Sequence, residues 1–221
     1  VDYHQKPDRA VPDEKLLQLI QDLIVFPHTE LAIVSGRDQD FLEKWFGHLS
    51  VTLVAEHGYF IKHKNQKWTG KETQQKNWKE DLIPLMETFT DRTPGTFIEE
   101  KKNSLVWHYR KTDPELAAER VVELKTVLSS LISDELHLMD GDKIIEIVGG
   151  RFNKGSAVSE IIGDKESEFI LCFGDDVTDE FMFNDLPPHS INIKVGKKTT
   201  QANYCISNTK AVKSLLRDLI S

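Results

Sequence analysis

The fold of this chain is decided by the stretch Phe169-Ile170-Leu171-Cys172-Phe173-Gly174-Asp175-Asp176-Val177-Thr178-Asp179-Glu180. Its first five residues are apolar and predict a strand of a parallel sheet that is buried on both faces. Three carboxylates, those of Asp175, Asp176 and Asp179, follow where that strand ends. Like charges this close repel unless a cation is present, and hard oxygen ligands at this density suit Mg²⁺. A solvated acidic helix N-terminus, which the helix dipole favours, is the alternative interpretation.

The composition is that of an ordinary globular protein and argues against several function classes. The 221 residues are 39% hydrophobic and 29% charged, and the net charge is −8. A net negative charge argues against the basic surface that binds nucleic acid. No apolar run is long enough to cross a bilayer. The scattered histidines form no HxH or HExxH pair that would indicate zinc. Cys172 and Cys205 each lie in an apolar run, which predicts buried, reduced thiols in a cytoplasmic protein.

The first part of the chain repeats the order strand, polar turn, helix. A predicted strand from Leu31 to Val34 leads into Ser35-Gly36-Arg37, and a second, from Val51 to Ala55, leads into Glu56-His57-Gly58. This order is typical of an α/β fold with a doubly wound, Rossmann-like parallel sheet. The ligand site of such a sheet lies at the carboxyl ends of its strands. We therefore expect these polar turns and Asp175-Asp176 to meet at one edge.

Capping residues mark the starts of the helices in this part of the chain. Asp13 and Asp38 each precede a run of apolar residues at helical spacing, and Asn208 or Thr209 precedes another near the end. Side chains of this kind accept hydrogen bonds from the first free N–H groups of a helix. The sequence therefore predicts helices that begin directly after these positions.

The middle of the chain follows a different pattern. A helix, two strands, a second helix and two more strands are predicted between Trp78 and Val148. Helices that alternate with hairpins predict an α+β unit with an antiparallel sheet. We therefore predict an inserted domain at residues 80–150, with residues 1–79 and 151–221 forming the core domain.

Several motifs of this sequence resemble one family of enzymes. Ser35 after an apolar strand, Lys154 before a helix, and Asp175-Asp176 with Asp179 after another strand stand in the order found in haloacid dehalogenase-like phosphatases. The whole chain resembles one branch of that superfamily, the trehalose-6-phosphate phosphatases. The matching segments are Ala10-Val11-Pro12-Asp13-Glu14, Ile33-Val34-Ser35-Gly36-Arg37, Ala55-Glu56-His57-Gly58, Glu99-Glu100-Lys101, Trp107-His108-Tyr109-Arg110, Asn153-Lys154-Gly155 and Gly174-Asp175-Asp176-Val177-Thr178-Asp179-Glu180.

The resemblance implies catalytic and metal-binding roles. Ser35 and Lys154 would hold the transferred phosphoryl group, since a hydroxyl and an ammonium suit oxygens with developing charge. Asp175 and Asp176 are the expected metal residues, with Asp175 as the direct Mg²⁺ ligand. Asp179 would complete the acidic loop through water or by a hydrogen bond to Lys154. Without the resemblance, Ser35 would be read as a turn residue and Lys154 as a solvated surface lysine.

The resemblance implies that the inserted α+β domain is a cap domain, in which Glu99, Lys101 and Glu146 resemble the sugar-binding residues of the family. Glu99 and Lys101 share a strand face because side chains alternate with a period of two. Glu146 falls on an apolar strand face, where a carboxylate needs a polar cover such as a pair of sugar hydroxyls. A cross-strand ion pair is the alternative for each of the three.

Three residues at the ends of the first two strands are expected to contact the substrate. These are Arg37, Glu56 and His57, which would line the cleft between the domains. His57 would serve equally well as a structural residue, so both roles stay open for it.

One motif of the family has no counterpart in this sequence. The first strand of the family ends in Asp-x-Asp-Gly-Thr, whose first aspartate is the nucleophile and whose second is the general acid–base. The segment from Val1 to Asp13 matches the family sequence directly after that motif, so Asp2 is not the expected nucleophile. We expect a strand upstream of Val1, because without it two strand edges would face a gap of about 10 Å.

The predicted function is Mg²⁺-dependent hydrolysis of trehalose 6-phosphate to trehalose and phosphate through an aspartyl-phosphate. The expected setting is the cytoplasm, with a small sugar phosphate as substrate and neither nucleic acid nor membrane as partner. A trehalose-6-phosphate synthase domain or subunit is the candidate protein partner that the resemblance implies. Two alternatives stay open: a phosphatase of the same fold for sucrose phosphate or mannosylglycerate phosphate, and a catalytically dead regulatory domain of a synthase.

Overall fold

The computed structural model describes residues 11–71, 77–133, 136–150, 152–164, 169–196 and 199–221. The start of the chain up to residue 10, which includes Asp2, lies outside these ranges. The chain divides into two units, Val1–Gly70 with Asn153–Ser221 and Lys71–Phe152. The sequence pattern sets the corresponding boundaries at residues 80 and 150.

The first unit begins with a helix and a mixed four-stranded sheet. Helix α1 (Glu14–Val25) is capped by Asp13, and helix α2 (Gln39–Phe46) is capped by Asp38. The sheet order is β1 (Ala32–Val34), β2 (Thr52–Ala55), β3 (Phe60–Lys62) and β4 (Thr69–Gly70), with β1 and β2 parallel and the other pairs antiparallel. The sequence pattern did not predict β3 and β4, because neither is an unbroken apolar run like the one that marks β1.

The second sheet of the first unit is parallel throughout. Its order is β11 (Tyr204–Ile206), β10 (Ile191–Val195) and β9 (Leu171–Gly174), accompanied by helices α5 (Lys154–Ile162), α6 (Glu180–Asp185) and α7 (Thr209–Leu219). β9 begins two residues later than expected, and Phe169 is exposed. Among the described residues, β1 and β9 each pair with a single strand, so each has one parallel edge without a partner there. The predicted α/β fold is confirmed.

The second unit is an antiparallel sheet covered by two helices on one face. The sheet order is β5 (Phe97–Glu100), β6 (Ser104–His108), β8 (Ile144–Gly149) and β7 (Leu136–Gly141), and the helices are α3 (Trp78–Asp91) and α4 (Pro114–Leu131). Trp107 pairs with Ile145 in register, and both lie in the core with the helices. Val106 pairs with Glu146 on the alternate face. The expected sugar residues therefore lie on the face opposite the helices.

The two cysteines differ in exposure. Cys172 in β9 is partly buried and Cys205 in β11 is exposed, and both are free thiols. The expectation of a buried thiol is wrong for Cys205, because β11 is the edge strand of its sheet within the described ranges. In those ranges every helix is too short or too polar to span a lipid bilayer.

Candidate phosphoryl-transfer site

The three carboxylates that follow β9 have different surroundings. Asp175 is exposed and makes no hydrogen bond or ion pair with the described residues. Asp176 caps the 3-10 turn Val177–Asp179, and its Oδ1 accepts a hydrogen bond from the N–H of Val177 at 2.7 Å. Asp179 is buried, and its Oδ2 accepts from the N–H of Asp176 at 2.9 Å. Two of the carboxylates are thus used to hold the loop, and that of Asp175 is not.

Lys154 forms a buried ion pair with this loop. It is the first residue of α5, after the cap Asn153, and its Nζ donates to Asp179 Oδ1 at 2.7 Å. Both side chains are only 7% exposed. Gly155 lets α5 approach α6, because an added Cβ there would lie 2.4 Å from the carbonyl oxygen of Phe181. An ammonium has three N–H groups, so Lys154 keeps donors for a ligand after its bond to Asp179.

Cys172 lies close enough to this ion pair for its ionisation to respond to both charges. Burial raises the pKa of Cys172 to about 12, the charge of Asp179 adds to the rise, and that of Lys154 opposes it. The thiol is therefore protonated at neutral pH. Because the thiolate is the nucleophilic form of cysteine, Cys172 is not a candidate nucleophile.

Ser35 follows β1 and begins a tight turn. Its N–H donates to the carbonyl of Val54 at 2.9 Å, which continues the pairing of β1 with β2. Its Oγ accepts from the N–H of Arg37 at 3.1 Å, so the hydroxyl proton is left to donate to a ligand. The guanidinium of Arg37 lies 4.6 Å from the centre of the Phe41 ring.

The 3-10 turn Glu56–Gly58 is hydrogen-bonded to the turn at Ser35. The N–H of Glu56 donates to the carbonyl of Arg37 at 2.9 Å, and the N–H of His57 donates to that of Ser35 at 3.2 Å. Glu56 and His57 are 3% and 8% exposed, so both side chains are buried. Their φ angles are 45° and 57°, in the left-handed region that non-glycine residues rarely adopt.

In the second unit, Glu146 is a buried carboxylate with two polar partners. Its Oε1 accepts from Lys101 Nζ at 3.1 Å and from Ser104 Oγ at 2.6 Å. The residue is 3% exposed. The polar partners that a buried carboxylate at Glu146 requires thus include Lys101 and Ser104. The sequence pattern did not indicate Ser104.

Glu99 on the same sheet face pairs with a histidine. Its Oε2 lies 2.7 Å from His108 Nε2, and the ring of His108 stacks on Phe97 with centroids 4.3 Å apart. The hydrogen bond with His108 lowers the pKa of Glu99, burial opposes the shift, and the charge of Lys101 favours it. The Glu99 side chain is 41% exposed, so an ionised carboxylate is accessible at this face.

Lys194 is a charged residue of the first unit that the sequence pattern did not indicate. It lies in β10, is 1% exposed, and its Nζ donates to the carbonyl of Asp176 and to Glu180 Oε1, both at 2.8 Å. Burial opposes ionisation of Glu180, but hydrogen bonds from Lys194, Gln201 and Thr200 outweigh it, so the pKa of Glu180 is lowered. Lys194 could have been found from the sequence as a lysine inside a strand of a parallel sheet, where the side chains on both faces are normally apolar.

The residues near Asp175 fit a Mg²⁺ ion in part. Mg²⁺ binds through one or two carboxylates and retains waters or phosphate oxygens, and Asp175 offers one exposed carboxylate. Within the ranges that the structure describes, no three His, Cys, Asp or Glu side chains are grouped so as to hold a metal ion. Of the three carboxylates in this loop, that of Asp175 is therefore the one available as a Mg²⁺ ligand.

Comparison with known proteins places these residues in a family context. The family model described as trehalose-phosphatase matches residues 1–216. The bifunctional trehalose-6-phosphate synthase/phosphatase of Thermoproteus tenax is 36% identical over 220 residues, which are 99% of this chain and 30% of that protein. The trehalose-phosphatase of Saccharomyces cerevisiae is 40% identical over 204 residues, 81% of this chain and 23% of that protein. The chain thus spans less than a third of these curated relatives.

Solved structures agree with the sequence relatives. The C-terminal domain of C. albicans trehalose-6-phosphate phosphatase superposes with a TM-score of 0.90 at 32% identity, covering 99% of this chain and 87% of that one. A haloacid dehalogenase-like hydrolase from B. subtilis superposes with a TM-score of 0.69 at 11% identity, covering 95% of this chain and 94% of that one. The second likeness concerns the fold alone.

Proposed function

Because the chain belongs to the trehalose-phosphatase family, we propose that it is the phosphatase part of an enzyme that hydrolyses trehalose 6-phosphate to trehalose and phosphate. The observation that carries the proposal is the buried pair of Lys154 and Asp179 beside the exposed carboxylate of Asp175, at the end of β9. This combination offers a cation for a phosphoryl group and a hard oxygen ligand for a metal ion.

Lys154 and Ser35 are the proposed phosphoryl-binding residues. Lys154 has N–H donors beyond its bond to Asp179, and the hydroxyl proton of Ser35 is not used in the bond with Arg37. Donors fixed in this way stabilise the charge that develops on phosphoryl oxygens without reorganising during the reaction. Asp179 has the role of keeping the ammonium of Lys154 in one orientation.

Mg²⁺ is the proposed cofactor, and Asp175 is its proposed ligand. A bound Mg²⁺ would supply charge neutralisation at the phosphoryl oxygens. Asp176, which the sequence suggests as a second metal residue, caps the loop through Val177, so we assign it to loop shape. Its carbonyl is also fixed by Lys194, which supports a single loop conformation.

The nucleophile of the proposed reaction is a carboxylate outside the described residues. An aspartate there would attack phosphorus and form an aspartyl-phosphate as the bond from phosphorus to the sugar oxygen breaks. The second aspartate of the family's Asp-x-Asp-Gly-Thr motif would protonate that leaving oxygen to give trehalose and then take a proton from the water that cleaves the aspartyl-phosphate. The parallel edges of β1 and β9, each with one partner among the described residues, support a strand between them as its carrier. Burial raises the pKa of Cys172 to about 12, so its thiol is protonated at neutral pH and is not proposed as the nucleophile.

Glu99, Lys101 and Glu146 are the proposed sugar-binding residues. They share one sheet face, and a carboxylate that is already ionised accepts hydrogen bonds from a pair of sugar hydroxyls. Lys101 and Ser104 hold Glu146 in place from the protein side. Arg37 at the end of β1 is proposed to contact the substrate as well.

A synthase domain or subunit is the proposed protein partner, and the cytoplasm is the proposed compartment. The Thermoproteus tenax relative is bifunctional, and this chain covers 30% of it, which supports a linked synthase part. A reducing compartment suits Cys172 and Cys205, which are free thiols.

The test is phosphate release by the full-length protein that contains this chain, with and without Mg²⁺. Substrates are trehalose 6-phosphate, sucrose phosphate, mannosylglycerate phosphate and the generic ester p-nitrophenyl phosphate. We expect Mg²⁺-dependent turnover with kcat/KM for trehalose 6-phosphate at least about tenfold above the other sugar phosphates. A preference for another sugar phosphate would reassign the substrate. Tight binding of trehalose 6-phosphate without turnover would favour the regulatory domain.

A further inference from the structure

The turn Glu56–Gly58 contacts both elements that carry the proposed phosphoryl-binding residues. On one side its backbone bonds to the turn at Ser35, through the two N–H donors of Glu56 and His57. On the other side Gly58 lies against the start of α5, since an added Cβ there would be 2.5 Å from the carbonyl oxygen of Asn153. Lys154 is the next residue after Asn153, so one short turn links the positions of Ser35 and Lys154.

The imidazole of His57 packs directly on the backbone next to Ser35. A Cβ added to Gly36 would lie 2.4 Å from His57 Nε2 and 2.5 Å from Cε1. Only a glycine therefore admits the ring at this distance. Because His57 is 8% exposed, the ring is a buried support for the backbone between Ser35 and Arg37 rather than a side chain presented to solvent.

The backbone of the turn is held in an unusual conformation. Glu56, His57 and Gly58 have φ angles of 45°, 57° and 111°, so two non-glycine residues in succession are left-handed. Such conformations persist only where the surrounding structure holds them, and they concentrate at functional sites. Here the bonds to the Ser35 turn and the contact with Asn153 provide that hold.

We propose that His57 is a positioning residue, whose ring supports Gly36 and thereby fixes the hydroxyl of Ser35 relative to Lys154. This inference rests on the proposed function and assigns His57 a different role from that of a sugar ligand. The backbone of Gly36 and the ring of His57 are in direct contact. We therefore expect a larger residue at position 36 to push against the ring and displace Ser35. A misplacement of about 1 Å in such a group can cost on the order of 100-fold in rate.

The test is a double-mutant cycle in the full-length enzyme with Gly36→Ala, His57→Ala and the two combined. We expect Gly36→Ala to lower kcat about 100-fold on trehalose 6-phosphate and on p-nitrophenyl phosphate alike. His57→Ala removes the ring that the new Cβ would strike, so the double variant should regain at least about tenfold over Gly36→Ala. Ser129→Ala, at an exposed position of α4 in the second unit, is the control and should keep the activity.

Two outcomes overturn the proposal. One is a double variant no more active than Gly36→Ala. The other is a His57→Ala enzyme whose KM for trehalose 6-phosphate rises at least about tenfold while p-nitrophenyl phosphate hydrolysis is unchanged, because that pattern marks a sugar ligand. The second comparison needs no Gly36 variant, so it decides the matter even if Gly36→Ala does not fold.

Binding of inorganic phosphate separates this inference from the proposed function. If the wild-type enzyme binds phosphate in calorimetry but does not hydrolyse trehalose 6-phosphate, the substrate assignment fails. The affinity for inorganic phosphate is then measured for the same variants. We expect Gly36→Ala to weaken phosphate binding and the double variant to restore it. If the wild-type enzyme neither hydrolyses any ester nor binds phosphate, the proposed function and this inference both fail.

Discussion

Lys154 and Asp179 form an ion pair that is almost completely removed from solvent, with 7% of each side chain exposed. Taking away one member of such a pair leaves a buried charge without compensation, which costs more than the pair itself contributes. We therefore expect Lys154→Met to lower the free energy of unfolding by about 3–5 kcal/mol. Urea unfolding followed by tryptophan fluorescence measures this change.

An exposed ion pair provides the control for that prediction. Lys125 Nζ lies 2.6 Å from Asp140 Oδ2, but the side chains are 37% and 60% exposed. Lys125→Met should therefore change the free energy of unfolding by no more than about 1 kcal/mol. Equal effects of the two substitutions would mean that Lys154 and Asp179 are solvated in solution.

At the scale of elements, Glu180 ties β10 and the loop at Thr200 to the acidic loop. Its carboxylate accepts hydrogen bonds from Lys194, Thr200 and Gln201. These bonds lower the pKa of Glu180 below its ordinary value of 4.5 although burial opposes the shift. The folded state therefore favours the ionised form, and Glu180 contributes stability above pH 4.5 that is lost as the pH falls through its lowered pKa.

The corresponding prediction concerns Glu180→Gln. The amide does not titrate, so the free energy of unfolding should fall less steeply between about pH 5 and pH 3 than in the wild type. At neutral pH the variant should be less stable by about 1–3 kcal/mol, because Lys194 loses a charged partner. Chemical denaturation across this pH range checks both effects, with exposed Glu119→Gln as the control for charge. Parallel pH profiles of wild type and Glu180→Gln would contradict the account.

The sheet face of the second unit carries the proposed sugar contacts. Glu146→Gln keeps the size of the side chain but weakens its bonds as an acceptor toward sugar hydroxyls. We expect kcat/KM for trehalose 6-phosphate to fall at least about tenfold and that for p-nitrophenyl phosphate to stay within about threefold. An unchanged preference for the sugar phosphate would show that Glu146 serves only its ion pair with Lys101.

Much of the whole molecule could be predicted from local patterns. Asp13, Asp38 and Asn208 cap helices as expected, because capping depends on only a few neighbouring residues. The short strands β3 and β4 could not be predicted, since neither is an unbroken apolar run like that of β1. The order of the remaining strands and helices follows the hydrophobic pattern.

The candidate site could be predicted less completely than the fold. Position after a strand marks Asp175, whereas the phosphoryl-binding roles expected for Ser35 and Lys154 come from the family resemblance. The burial of Lys194 and the left-handed turn at His57 depend on contacts between distant segments, which no local pattern encodes. The pairing of Glu99 with His108 likewise depends on the register of β5 against β6.

The second unit has what a separate folding unit requires. Lys71–Phe152 is one continuous segment, with its own antiparallel sheet and a core that includes Trp78 and Trp107. We therefore expect this segment alone to unfold in a single cooperative thermal transition with a near-ultraviolet circular dichroism signal from its buried tryptophans. A broad transition without that signal would mean that the rest of the chain is needed for its packing.

We propose that Asp175 provides the metal-binding carboxylate of a trehalose 6-phosphate phosphatase. Asp175 is exposed and bonds to none of the described residues, so Asp175→Asn should leave folding unchanged. The most direct measurement is Mg²⁺-dependent phosphate release from trehalose 6-phosphate by the full-length wild-type protein and this variant. The account predicts turnover by the wild type and a loss of at least about 1,000-fold in Asp175→Asn. Equal Mg²⁺-dependent turnover by the two proteins would contradict it.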